Sequence, residues 1–174
     1  MLGANDGLLS TGALLVGVVG EDVARAGVVT AGTAGLVAGA ASMAIGEYVS
    51  VSSQRDTELA DLRTEAEELI EDPEGEHFEL RRIYEQRGLP PALASEVAEA
   101  LMDHDALGAH MRDELGVTDE LRARPAQAAA SSFLSFVVGA LIPLAAAVLA
   151  SDSLRGAVVA AATLVGLAVL GGLG

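Results

Sequence analysis

The separation of charged from apolar residues limits the possible folds of this chain more than any other feature. Four runs contain no charged side chain: residues 7–20, 27–46, 126–151 and 156–174. The last three runs reach the length of about 20 residues that a helix needs to cross a bilayer. Soluble helical bundles, the alternative class, would place charged residues at regular intervals within such runs. The runs therefore predict membrane-spanning helices.

Between the second and third runs lies a strongly charged stretch, residues 52–124, which we call the acidic segment. It contains 20 of the 25 acidic residues and eight of the ten basic residues, and so carries −12 of the net charge of −15. This balance disfavours nucleic acid as a partner and favours cations. The chain has no cysteine, which excludes disulfides, zinc–thiolate sites and iron–sulfur clusters.

The acidic segment predicts a small helical domain. Residues 56–70 have one narrow stripe of leucine and isoleucine, which is typical of a helix with one apolar face. Residues 71–75, Glu-Asp-Pro-Glu-Gly, predict a turn. Further helices are expected over residues 76–87, ended by Gly88, over 92–101 and over 105–115.

Potential metal ligands recur three or four residues apart in these predicted helices, and residues at that spacing share a helix face. Carboxylate oxygen together with imidazole nitrogen and thioether sulfur suits Fe²⁺, Mn²⁺ or Zn²⁺ better than Mg²⁺ or Ca²⁺. The residues that could converge on one metal site are Glu65, Glu68, Glu76, Glu79, His110, Met111 and Glu114. Solvated helix faces are the alternative explanation for so many glutamates.

Glu74 and His77 have the Glu-x-x-His spacing of ferritin-like di-iron proteins. Such proteins need the motif twice, and no second copy precedes His104 or His110. Chance, or a loop, explains the spacing better than a di-iron oxidase does.

Three residues could contact a cation within the membrane. Met43 and Glu47 are four apart, on one face of the second predicted membrane helix. Glu47 could equally be an exposed interfacial residue, and Asp6 could be a helix N-cap or a turn residue. An ionisable side chain inside a membrane is costly enough to indicate function by default.

Orientation follows from the placement of arginine, because loops rich in Lys and Arg stay on the cytoplasmic side. The two short loops contain one arginine each, Arg25 and Arg155. Three arginines flank the membrane helices on the side of the acidic segment: Arg55, Arg122 and Arg124. The acidic segment is therefore expected in the cytoplasm.

Three strings carry a family resemblance. They are GANDGLLSTGALLVGVVG at residues 3–20, AGLVAGAASMAIGEYVSVSSQRDTE at 34–58 and FVVGALIPLAAA at 136–147. Together they resemble the vacuolar iron transporter family, especially its nodulin-21-like and bacterial branches. The resemblance covers nearly the whole chain, and the NDGL and SMAIGEYVSVSSQ strings are its most specific parts.

The resemblance implies a transporter, not an enzyme. Members have five membrane helices, act as homodimers and export Fe²⁺, often with Mn²⁺, from the cytoplasm in exchange for protons. The pore lies between the two subunits. The resemblance makes the seven residues of the acidic segment named above the ligands of a metal-collecting domain, with His110 where a plant member has a second methionine. It makes Asp6 and Met43 pore residues.

The chain departs from the family pattern at three places. Gly35 stands where the plant branch has a pore glutamate, and Glu47 is our candidate for the missing carboxylate. The chain begins a few residues before NDGL and ends at Gly174 before a fifth helix, so we expect it to be truncated at both ends.

The sequence thus predicts an all-α polytopic membrane helix bundle with four of five expected transmembrane helices. Helices 1 and 2 fall in residues 1–51, a cytoplasmic helical metal-binding domain in 52–124, and helices 3 and 4 in 125–174. We expect an integral multi-pass membrane protein, located in the plasma (inner) membrane if it is bacterial. Its expected partners are divalent metal ions, protons, membrane lipid and a second copy of the chain. Nucleic acid is not expected as a partner. The alternative function is a membrane-anchored metal-buffering or sensing module without transport.

Overall fold

The computed structural model describes residues 2–19, 23–117 and 123–172, and within these ranges all regular structure is helical. Three helices, α2, α5 and α6, are long and apolar enough to cross a membrane, and α1 is a shorter apolar helix. Arg122, which contributed to the expected orientation, lies outside the described residues. The helices are α1 (Leu2–Val18), α2 (Arg25–Glu71), α3 (Pro73–Gln86), α4 (Pro91–Asp113), α5 (Pro125–Leu149) and α6 (Arg155–Gly172).

The chain forms two compact units. The apolar unit, Met1–Ser50 with Pro125–Gly174, contains α1, the first part of α2, α5 and α6. The acidic unit, Val51–Arg124, contains the rest of α2 with α3 and α4.

Close backbone contact between α1 and α5 holds the apolar unit together. A Cβ atom at Gly7 would collide with the carbonyl oxygen of Phe136, and one at Gly139 with the carbonyl oxygen of Ala4. Membrane helices gain most of their association energy from such dispersion contacts, because lipid provides no hydrophobic drive between them. The two glycines therefore set the distance between α1 and α5.

Two arginines cap the carboxyl end of α5. The last carbonyl groups of a helix lack partners within it, and cations near that end also interact favourably with the helix dipole. Arg155, only 2% exposed, donates from Nε, and Arg25 donates from its terminal nitrogens. The acceptors are the backbone oxygens of Ala147, Val148 and Ala150. The single arginine of each predicted short loop is thus used in a helix cap.

Helix α2 corrects the expectation of two separate helices. The sequence predicted a membrane helix around residues 27–46 and another helix over 56–70, whereas α2 runs without a break from Arg25 to Glu71. Residues 47–56 contain neither proline nor glycine, so nothing interrupts the backbone hydrogen bonds. Glu47 therefore lies in the middle of a helix and not near its end.

The start of α3 corrects the predicted turn at 71–75. Only Asp72 interrupts the helices, and Pro73 occupies the first position of α3, where a missing N–H costs nothing. The Asp72 carboxylate accepts a hydrogen bond from the Gly75 N–H at 3.0 Å and so caps the helix. Gly88 follows the end of α3 with a φ of +99°, which confirms the predicted stop.

The two helices expected over 92–101 and 105–115 form one element, α4, with an internal break. Asp105 has non-helical backbone angles, φ −161° and ψ 85°. Its carboxylate accepts a hydrogen bond from the Gly108 N–H at 3.0 Å, which repeats the cap at Asp72. The second part of α4 therefore begins as a newly capped helix, with its cap five residues before His110.

The core of the acidic unit lies between α3 and α4, around Leu80, Ala98 and Ala109. The far ends of these helices are tied by Asp113, which accepts hydrogen bonds from Tyr84 Oη at 2.9 Å and Arg87 Nη1 at 2.6 Å. Burial alone would raise the pKa of Asp113, but hydrogen bonds from Arg112, Arg87 and Tyr84 outweigh it and hold that pKa below its usual value. This contact fixes the end of α4 against α3.

Candidate metal centre and membrane cavity

Four side chains from three helices converge within the acidic unit. Glu65 comes from α2, Glu76 from the first turn of α3 and His110 from the last turns of α4. Glu114 is the residue that directly follows the end of α4. One ligand atom from each lies within 4.8 Å of every other. The two aspartate caps begin the helical segments that carry Glu76 and His110, so local sequence signals position both side chains.

The His110 imidazole lies at the centre of the group. Its Nδ1 atom is 2.9 Å from Glu65 Oε1, 3.1 Å from Glu114 Oε2 and 3.5 Å from Glu76 Oε2. The His110 side chain is fully buried, and the side chains of Glu65 and Glu76 are 4% and 9% exposed. Three carboxylates thus meet around one nitrogen atom; two of them are buried, and that of Glu114 is exposed to solvent.

The three carboxylates lie close enough to repel one another when all are charged. Burial, together with the neighbouring Glu114 carboxylate, raises the pKa of Glu65 to about 7 against the opposing effect of His110. Burial also raises the pKa of Glu76, while its hydrogen bond with Glu65 opposes that change. The Glu65 carboxyl group therefore keeps its proton to a higher pH than an ordinary glutamate does.

Hydrogen bonding within the group is incomplete. A single imidazole nitrogen donates at most one proton, and three carboxylates compete for it. His110 Nδ1 makes its hydrogen bond with Glu114 Oε2, so Glu65 Oε1 lies 2.9 Å from that nitrogen atom without a hydrogen bond, and His110 Nε2 is also buried without one. A divalent cation would neutralise the excess negative charge, and a set of carboxylate oxygens with one imidazole nitrogen suits Fe²⁺, Mn²⁺ or Zn²⁺.

The other three predicted ligands are not part of this group. Glu68 and Glu79 are exposed and do not belong to the converging set of carboxylate and imidazole groups, and Met111 is half-buried. Their role as ligands stays a prediction.

The Glu-x-x-His pair does not join the group either. It lies in helix α3 and not in a loop, and His77 Nε2 is 3.2 Å from the backbone oxygen of Ser95. His77 therefore contacts the backbone of α4.

A separate cavity of about 330 Å³ lies within the apolar unit. It brings together two of the three predicted pore residues, Asp6 and Met43, and also Gly35. Glu47, the third, is exposed and does not line the cavity. The remaining lining residues are Ser10, Thr11, Leu14, Gly39, Ser42 and Phe136.

Asp6 lies inside helix α1, not at its cap or in a turn, which corrects one of the two expectations for this residue. Ser10, one turn later, donates a hydrogen bond to Asp6 Oδ1 at 2.9 Å. Ser10 and Thr11 also line the cavity, although the sequence motifs did not predict them as pore residues. The four-residue spacing between Asp6 and Ser10 was the available signal, since it places both on one face.

Fold and sites together define a multi-pass membrane protein with a group of side chains able to bind a divalent metal. The family model of the VIT family matches residues 1–174. The chain belongs to this family, as the sequence motifs indicated.

Named relatives agree with this assignment. A protein named vacuolar iron transporter from Acanthamoeba castellanii is 47% identical over 144 residues, which are 83% of this chain and 52% of the relative. Vacuolar iron transporter homolog 5 of Oryza sativa subsp. japonica is 39% identical over 175 residues, 100% of this chain and 62% of the relative. Vacuolar iron transporter 1 of Arabidopsis thaliana is 35% identical over 146 residues, 83% of this chain and 58% of the relative.

The relatives carry the names of transporters and not of enzymes, as expected from the sequence. This chain spans between half and two thirds of their length.

Proposed function

We propose that this chain exports divalent iron from the cytoplasm across a membrane, with manganese as a second cargo. The observation that carries the proposal is the convergence of Glu65, Glu76, His110 and Glu114 on one point, in a member of a family whose named relatives are iron transporters. The acidic unit faces the cytoplasm in this proposal, because of the arginine distribution.

The acidic unit collects the ion. Its net negative charge attracts cations and raises their concentration near the protein. The buried group then takes the place of water ligands around the ion. Glu68, Glu79 and Met111 are proposed as further ligands that the ion meets on its way in or out.

The apolar unit passes the ion across the membrane. We propose that Glu47 and Met43, which are four apart on α2, transfer the ion to Asp6. A carboxylate within a membrane is costly when charged and unpaired, so Asp6 holds either a proton or a metal ion. Competition between the two gives the physical basis for exchange of metal against protons. The pore is proposed to form between two copies of the chain.

Ferrous uptake into sealed proteoliposomes tests the proposal. With the acidic unit outside, Fe²⁺ should enter while protons leave, so the interior should become more alkaline. Asp6→Asn should abolish both signals, because the amide binds neither a proton nor a metal ion in the same way. Glu65→Gln should slow uptake at low Fe²⁺ by weakening collection.

A metal-buffering or sensing module without transport is the second candidate. It is favoured by one observation: all four converging residues lie within the acidic unit, so binding there does not need the membrane part. Fe²⁺ binding without uptake or proton movement in the same liposomes would replace the transporter proposal with this one.

A further inference from the structure

The threonines of the apolar unit fall into two kinds. Among its described residues, three threonines donate their hydroxyl groups to the carbonyl oxygen four residues earlier, each at 2.8 Å: Thr30, Thr33 and Thr163. Thr11 differs, because its Oγ1 atom is buried without any hydrogen-bond partner and the residue is only 1% exposed. A buried hydroxyl group without a partner is unfavourable, and membrane threonines normally avoid it through such backbone bonds.

Thr11 lines the cavity that also contains Asp6 and Met43. Asn5 Oδ1 is also buried without a partner, but Asn5 does not line this cavity. Thr11, whose hydroxyl group has no hydrogen-bond partner, thus lines the same cavity as Asp6.

At Gly35 the cavity wall carries no side chain. A Cβ atom at Gly35 would collide with the Leu14 side chain, so leucine fills the space that a side chain at position 35 would need. The lining residues of α1 with side-chain oxygen atoms are Asp6, Ser10 and Thr11. Ser10 already donates to Asp6 and so orients that carboxylate.

We propose that Thr11 is a ligand residue for the divalent cation in this cavity, supplying a hydroxyl oxygen beside the Asp6 carboxylate while Ser10 holds that carboxylate in position. Divalent iron and manganese accept oxygen ligands of this kind, and Met43 adds a softer sulfur atom. The assignment rests on the transport proposed above, because that proposal places the transported cation in this cavity.

Mn²⁺ binding to the full chain in detergent tests the assignment. The parent variant carries Glu65→Gln, Glu76→Gln and Glu114→Gln, which removes the three carboxylates that converge at His110, so that binding at the membrane cavity can be measured. In this parent, Thr11→Val should weaken Mn²⁺ binding about tenfold, since valine keeps the shape but lacks the oxygen. Thr11→Ser should bind like the parent, and Thr33→Val serves as the matched control.

Thermal unfolding without metal separates a ligand role from a structural one. Because the Thr11 hydroxyl group has no protein partner, Thr11→Val should unfold at the same temperature as the parent or higher. A lower midpoint would assign the hydroxyl group to the fold and overturn the proposal.

Equal Mn²⁺ affinity of Thr11→Val and the parent would also overturn it, as would no binding by the parent or unchanged binding after Asp6→Asn. Proteoliposome uptake judges the transport proposal separately, because uptake in the wild-type chain does not depend on these variants.

Discussion

The apolar and acidic units satisfy their polar groups in opposite ways. In the apolar unit, arginines cap the end of α5 and three of the described threonines bond to their own helices. In the acidic unit, buried carboxylates surround one imidazole nitrogen and have too few donors. In the first unit these hydrogen bonds support stable packing. In the second unit the carboxylates have too few hydrogen-bond donors, and a bound cation would neutralise their charge.

In the part of the chain that the structure describes, buried polar atoms without hydrogen-bond partners occur in both units, two in each. The buried atoms without partners among the described residues are Asn5 Oδ1, Thr11 Oγ1, Glu65 Oε1 and His110 Nε2. Three of the four belong to the membrane cavity or the metal group. Native proteins keep few such atoms, and those they keep indicate ligands or functional groups.

The largest expected effect tests the metal group. Glu65→Gln with Glu76→Gln should weaken Fe²⁺ or Mn²⁺ binding at the acidic unit by at least about 100-fold, because loss of mere supporting groups already costs 10–100-fold. Calorimetry on the full chain measures the affinity. Glu67→Gln with Glu71→Gln changes the same number of charges at exposed positions without a proposed ligand role, and should have a much smaller effect. Equal losses in both double variants would show that overall charge, and not the converging group, binds the metal.

The next effect tests the packing of the apolar unit. Gly139→Ala forces a methyl group against the backbone of α1 and should destabilise the protein by about 1–3 kcal/mol. Gly17→Ala, where no atom lies within 4 Å of the added carbon, is the matched control and should be neutral or slightly stabilising. Denaturant unfolding in detergent micelles measures both, while metal affinity at the acidic unit should not change. An unaffected Gly139→Ala protein would refute the close approach of α1 and α5.

The third effect concerns pH. Burial raises the pKa of Glu65 from 4.5 to about 7, so the folded chain binds more protons than the unfolded chain between these values. Without metal, Glu65 should therefore lower the free energy of unfolding as pH rises from about 4.5 to about 7, and leave it constant above. Metal binding must displace the proton, so metal affinity should increase over the same range.

Unfolding and calorimetric titrations across this range check both signs, with Glu65→Gln as the control in which both slopes should decrease. Apo stability that rises through this range in proportion to Glu65 ionisation would contradict the assignment.

The smallest effect tests the helix cap before His110. Asp105→Ala should cost about 1 kcal/mol of stability, because it removes the hydrogen bond to the Gly108 N–H. Asp105→Asn should retain most of the stability, since asparagine caps helices equally well. Asp103→Ala, an exposed position two residues earlier, should change little. Metal affinity should fall only in Asp105→Ala, where the segment carrying His110 loses its fixed start. A similar loss in Asp105→Asn would assign the effect to charge.

Local signals explain which parts of the structure the sequence could predict. Gly88 stops a helix because a positive φ suits glycine, and that position was predicted. Asp72 and Asp105 cap helices through the same Asp-x-x-Gly pattern. The sequence contains this pattern at both places, but the proline and glycine at the first predicted a turn. The unbroken α2 was missed because a change in composition at residue 47 does not end a helix.

Sequence by itself determined the helical class, the long apolar runs, the acidic segment between them and the candidate ligands, because hydrophobicity and charge act residue by residue. Only the tertiary structure decided which carboxylates meet at His110 and which remain in water, since that choice depends on the rotation of three helices about their axes. The tertiary structure also decided that Thr11, which lines the same cavity as Asp6, has a hydroxyl group without a hydrogen-bond partner. A helical sequence gives the spacing of side chains along one helix, but packing alone sets the distances between helices.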